Sequence, residues 1–193
     1  SAELTLNELF HMTSHATIDE QLHVLRILAR SQRTDLMRDL SQNLLQVKQN
    51  VKLFASALTE LDAFSTPTPN DDFLHRPIRL SLVEDLNRMA ELSLYAGDPQ
   101  RANAFIEQAN HVLEYKKHQE TYQILKTTQS PSDVNRWQQL AEAVPQSMEV
   151  QYHYVQALIS RQLNEEARSV IETLPESPEK QQLSRLIDPD QRI

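Results

Sequence analysis

Two Glu-x-x-His pairs lie close together near the N-terminus, Glu8/His11 and Glu20/His23, and His15 follows His11 by one helical turn. A carboxylate and an imidazole at i, i+3 project from one helix face, which is how facing helices hold a pair of metal ions. Such a centre also needs unpaired glutamates from two further helices at the same depth. Here both pairs sit between residues 8 and 23, on what read as short adjacent helices. Chance spacing among seven histidines and many glutamates accounts for them better, so neither a metal site nor a cofactor is expected. Nucleophilic catalysis has still less support. Ser14-His15 has no strand–turn–helix elbow around it, and no Gly-x-Ser-x-Gly occurs. Of the paired carboxylates, Asp71-Asp72 falls in a proline-rich stretch and Glu165-Glu166 at a helix start, where acids serve solvation and capping. The expectation is a protein that is not an enzyme.

Composition narrows the elements available to position any site. The chain has 193 residues, one glycine and no cysteine; average usage would give roughly 13 glycines. Without glycine, the positive-φ turns of hairpins and the phosphate-cradling loops of nucleotide sites become improbable. Without cysteine there are no disulfides and no thiolate zinc sites. What remains is rich in Leu, Gln, Ala and Glu, which favour helix. Net charge is −8, spread over both halves, and an acidic mixed surface repels phosphate backbones, so a nucleic-acid partner is not expected. Apolar runs such as Leu22 to Leu28 are broken by His and Arg, so no membrane span is expected in this chain. It opens at Ser1 without methionine, which reads as a processed or excised piece of a larger protein. The expected locale is soluble, cytoplasmic or periplasmic, with any tether lying outside these residues.

Thr17-Ile18-Asp19-Glu20 is a capping box that opens a helix with Leu22, Leu25, Ile27 and Leu28 on its apolar face. A second start lies at Thr34-Asp35. From there Met37, Leu40, Leu44, Val47, Val51, Phe54, Leu58 and Leu61 are spaced 3-4-3-4-3-4-3, which predicts one long helix over 35–64. Two readings of that stripe stay open: a two-chain seam giving a homodimer through residues 37–61, or packing on the preceding helices of the same chain. Residues 65–78 carry three prolines and predict a linker between an N-terminal helical unit, 1–64, and a C-terminal one, 79–193. Ser81-Leu82-Val83-Glu84 then predicts another capping box.

The lone glycine sits in Gly97-Asp98-Pro99, with an αL-tolerant residue closing one helix and a proline opening the next. Ala90 precedes this turn; Ala102, Ile106 and Ala109 follow it. The same spacing recurs in Trp137, Ala141, Val144 and in Ala167, Ile171, Leu174, with prolines at 145 and 175. Over about residues 81–187 the chain resembles a degenerate tetratricopeptide repeat (TPR) array. The resemblance departs from the family where Gln162-Leu163 replaces the Gly-Asp turn and where Val155 replaces a small residue. It implies an all-α fold, a TPR-like right-handed solenoid of antiparallel hairpins, closed by a capping helix at 178–187 with Leu183, Leu186 and Ile187 on its face.

The resemblance also implies where a partner binds, since first helices of such repeats line a groove. By position these are Glu84, Asn87, Glu91, Leu94 and Tyr95 in the first repeat, and Glu149, Tyr152, Gln156, Ile159 and Ser160 in the last. Of the basic and asparagine residues of the family's carboxylate clamp only Asn87 is present, so the glutamates point instead to a basic or amphipathic peptide. Tyr95 and Tyr152 would supply aromatic contacts. The resulting expectation is a non-enzymatic protein–protein interaction module, a scaffold or adaptor within a larger bacterial protein. The alternative is a ligand-sensing or regulatory domain of a membrane-tethered signalling or transcription-regulating protein.

Overall fold

The computed structural model describes residues 4–65, 73–128 and 133–188. Its helices are α1 (Leu6–Thr13), α2 (Ile18–Arg30), α3 (Thr34–Leu44), α4 (Lys48–Ser65), α5 (Leu80–Tyr95), α6 (Pro99–Thr128), α7 (Val134–Ala143), α8 (Met148–Ser160), α9 (Asn164–Thr173) and α10 (Pro178–Ile187), with a 3-10 turn at Phe73–His75. The fold is all-α, and no strand occurs among the described residues. The Asp71-Asp72 pair and half of the proline-rich segment lie outside them. Among the described residues no helix is long and apolar enough to cross a membrane.

Side-chain capping sets several of the helix starts. Thr17 and Glu20 form the expected box, and Thr5 with Glu8 forms a second at α1. Both glutamates of the Glu-x-x-His pairs are thereby committed to backbone amides, Glu8 Oε2 at 2.8 Å from Thr5 N and Glu20 Oε2 at 3.2 Å from Thr17 N. Ser177 caps α10 ahead of Pro178. The box expected at Ser81/Glu84 does not form. Helix α5 starts two residues earlier, on Arg79, whose guanidinium donates to the Ser81 hydroxyl, while Glu84 pairs with Arg88 at 3.6 Å.

The single helix expected over 35–64 is broken into α3 and α4, although neither glycine nor proline intervenes. Gln46 and Val47 amides turn back to Asn43 and Leu44 carbonyls, tightening the end of α3. The cause is buried and polar. Asn50 Nδ2 donates to Leu44 O at 2.9 Å and to Gln21 Oε1 at 2.8 Å, while Gln21 Nε2 donates to Thr13 O and Ala16 O. Asn50 and Gln21 are buried, so this knot ties the α3–α4 break to the α1–α2 turn. After it the inward face becomes Asn50, Phe54, Ala57 and Leu61, leaving Val51 48% and Leu58 42% exposed. Leu40, Leu44, Phe54 and Leu61 of the stripe are buried in the chain's own core.

Two compact units result, one of Ser1–Thr66 with Ile78–Glu114, the other of Pro67–Pro77 with Tyr115–Ile193. The division falls inside α6 instead of in the proline-rich segment. The first unit buries Ala102, Phe105, Ala109 and Val112 of that helix; the second buries Tyr115, Tyr122 and Leu125. In the first unit α5 packs against α2, α3 and α4; in the second α8 packs against α7, α9 and α10. The three repeat-spaced sets are buried except for Ile106, whose place in the core Phe105 takes. Leu186, expected on the inner face of α10, is exposed, and Leu183 alone is fully buried there.

Three helix–turn–helix junctions share one geometry. Arg33 N bonds Leu28 O, Asp98 N bonds Ser93 O, and Leu163 N bonds Leu158 O, each at 2.9 Å, with the preceding residue in αL: Gln32 at φ 59, Gly97 at φ 86, Gln162 at φ 62. These are Schellman caps. Gln162 thus does the turn's work without glycine, at the cost of a side chain in αL. Gln162→Gly is expected to raise stability by about 0.5–1 kcal/mol, and Gly97→Ala to lower it by about 1 kcal/mol, although the added Cβ meets nothing nearer than Arg38 Cδ at 3.5 Å. Urea midpoints for the two variants moving in the same direction would refute this account.

Candidate functional site

In the first unit the predicted groove face of α5 is partly occupied by its own chain. Glu84 and Asn87 are exposed, and Leu94 is exposed beyond them. Glu91, however, accepts from Arg26 Nε and Nη2 of α2, both at 2.6 Å, and from the Tyr95 hydroxyl at 2.7 Å. Burial alone raises the Glu91 carboxyl, but the hydrogen bonds from Arg26 and Tyr95 outweigh it and hold the group below its ordinary range. Burial and the bond to Glu91 push the Tyr95 phenol up, and the Glu91 bond raises Arg26. Nearby, Asp85 is buried between Arg79 at 3.0 Å and Arg88 at 2.9 Å, and these arginines reach Glu60 and Asp19 in turn. This is a network of paired charges that joins α2, α4 and α5.

In the second unit the sequence reading places Glu149, Tyr152 and Gln156 on α8. Gln156 is exposed, while Tyr152 and Ile159 are half-buried against the core formed by Val155, Leu158, Ala167, Ile171 and Leu183. Glu149 stands at the first turn of α8, and three groups converge on it. His75 Nε2 lies 2.9 Å from Oε2, the Tyr122 hydroxyl donates to Oε1, and Lys126 Nζ is 3.8 Å from Oε1. Burial raises this carboxyl as well, and the bonds from Tyr122 and His75 more than offset it, so the group stays ionised below the usual range.

Behind the carboxylate is an aromatic cluster. Tyr122 is fully buried and meets His75, Trp137 and His153 edge-on at 5.7, 6.0 and 5.8 Å between ring centres. His153 stacks on Trp137 at 5.0 Å, and burial pushes its imidazole below the ordinary value. Leu74 is inserted into the same cluster beside Tyr122, Leu125 and Trp137. Residues Leu74 to Pro77 therefore form a strap along the second half of α6, where Gln119 Nε2 also donates to Arg76 O at 2.7 Å.

Between strap and helix opens a cleft of about 610 Å³, lined by Leu74, His75, Arg76, Pro77, Gln119, Glu120, Gln123 and Ile124. A carboxylate-oriented imidazole on such a wall has the form of a general base. The lining otherwise offers carboxamides, one guanidinium, one carboxylate and hydrocarbon, with no hydroxyl or thiol to activate. Among the described residues no group of three or more His, Asp or Glu side chains is placed to hold a metal ion. Of this site the sequence reading named only Glu149 as a candidate, and His75 lay in the linker, 74 residues away from its partner. Comparison with known proteins finds no matching family, no similar curated protein and no similar solved structure.

Proposed function

We propose that the chain is a non-enzymatic protein–protein interaction module, a scaffold or adaptor made of TPR-like helical hairpins. Its partner is a protein or peptide of basic or amphipathic character. The observation that carries this reading is the cleft beside α6, where Gln119 already holds the main chain of the strap. One turn along, Gln123 and Ile124 offer a second carboxamide and an apolar side chain, 50% exposed, at the cleft wall. Peptide groups need donors and acceptors at main-chain spacing and apolar contact between them, and this surface supplies both. The repeated Schellman hairpins add support for a TPR-like array, since they reverse the chain in minimal length.

Ile124→Asp tests the reading. At an exposed position it should move stability by only about 0.5 kcal/mol, yet it places a desolvated carboxylate in the middle of any apolar contact. The immobilised wild-type chain is expected to retain specific partners from a lysate of its source cells, and the variant to lose them at an unchanged melting temperature. Equal capture by both proteins removes the cleft from consideration.

A further inference from the structure

The strap occupies unit 2 in the manner of a ligand. Leu74 is 4% exposed and fills an aromatic pocket. The next residue, His75, brings an imidazole to the Glu149 carboxylate, and the next carbonyl, Arg76 O, takes the Gln119 carboxamide. Apolar side chain, basic side chain and main-chain carbonyl are thus each read by a separate group within three residues. Glu149 sits near the surface, and Tyr122, though wholly buried, turns its one polar atom toward that carboxylate. Lys126 Nζ stands 3.8 Å from Oε1, the other oxygen of the carboxylate that His75 reaches through Oε2.

We propose that this pocket is a peptide-recognition site whose resident occupant is the chain's own strap, and that the external ligand is an extended segment carrying an apolar residue followed directly by a basic one. The inference rests on the interaction reading above and specifies its ligand. Charge selects the partner: a carboxylate at the pocket mouth favours imidazolium, ammonium or guanidinium over neutral or acidic side chains. Tethering explains how the strap competes. A covalently attached segment acts at an effective concentration in the millimolar range, so a free peptide of similar intrinsic affinity is held off until the strap loosens.

The test uses the full chain and a fluorescein-labelled heptapeptide, Phe-Leu-His-Arg-Pro-Ile-Arg, which copies residues 73–79. Fluorescence anisotropy at neutral pH gives Kd for wild type and for a Leu74→Ala/His75→Ala variant, with circular dichroism as the check on folding. With both anchors removed, the variant is expected to bind the peptide about tenfold more tightly than wild type does, because the tethered competitor is gone. A peptide with Ala in place of Leu and His should not bind, and adding Glu149→Gln should weaken binding about tenfold. Should the double variant lose its helix, His75→Ala alone gives the same ordering with a smaller gain. Equal affinity of the variants and wild type, or indifference to the Leu-His pair or to Glu149, overturns the proposal. If the peptide fails to bind while Ile124→Asp still abolishes partner capture, the site falls and the interaction reading stands. If the peptide behaves as expected but capture does not depend on Ile124, the ligand specificity stands and the cleft reading is what fails.

Discussion

Asn50→Ala is expected to destabilise the chain by about 2–4 kcal/mol, more than most single substitutions. The side chain is 1% exposed and supplies the donor for both Gln21 Oε1 and Leu44 O. Removing it leaves Gln21 Oε1 without that donor in a site closed to bulk water, where a buried polar group without a partner costs about 1–3 kcal/mol. It also strips Leu44 O of one of its two donors, the Val47 amide remaining. The loss extends beyond the pair, since Gln21 orients its amide toward Thr13 O and Ala16 O only while Asn50 fixes its other end. Asn50→Asp should be at least as damaging, because it sets a carboxylate against two carbonyl oxygens in a buried site. Lys48→Ala, two residues away and exposed, is the control and should change stability by about 0.5 kcal/mol or less. Urea denaturation followed by circular dichroism, together with amide exchange in α3 and α4, reads the effect. An Asn50→Ala chain as stable as the Lys48 control would show that the helix break does not depend on the knot.

That break marks the limit of what could be read from the sequence. The helical class was legible because caps, glycine poverty and apolar spacing all act locally, and Thr17/Glu20 stand where their chemistry requires. The heptad stripe from Met37 to Leu61 was legible as well, but the spacing alone does not say that Asn50 points inward. An inward asparagine needs Gln21, 29 residues earlier, and only the folded chain brings the two together. The same holds for the site. Glu149 was assigned to a groove from its position in a repeat, while the groups that converge on it come from positions 75, 122 and 126. No period links a residue in a proline-rich segment with one on α8. Glu91 failed to read as paired for a like reason, its arginine lying 65 residues away on α2. Local chemistry predicted the elements, and long-range polar pairing decided which of their faces remain open.

Tyr122 is where packing and site chemistry can be separated. Tyr122→Ala should cost about 3–5 kcal/mol, the range for emptying a wholly buried aromatic position, because Leu74, Trp137 and His153 would then face a cavity. Tyr122→Phe keeps the ring and removes only the hydroxyl that donates to Glu149, so about 1 kcal/mol is expected. The second variant also changes the response to acid. In the folded chain the Glu149 carboxyl lies below its ordinary value of 4.5, held there by Tyr122 and His75 against the opposing effect of burial. A depressed carboxyl contributes stability that is complete above its unfolded value and disappears as pH falls through the folded one. Its side chain is 38% exposed, so solvent screens the contribution and the clearer measurement is the titration itself. By carbon-detected NMR the Glu149 carboxyl of Tyr122→Phe should titrate closer to 4.5 than that of wild type. The acid limb of the stability curve should correspondingly flatten, since less of the wild-type stabilisation is there to be lost. His75→Ala should move the same carboxyl in the same direction. Should neither substitution shift it, the strap's imidazole and the tyrosine hydroxyl are bystanders at Glu149, and the pocket reads no basic group.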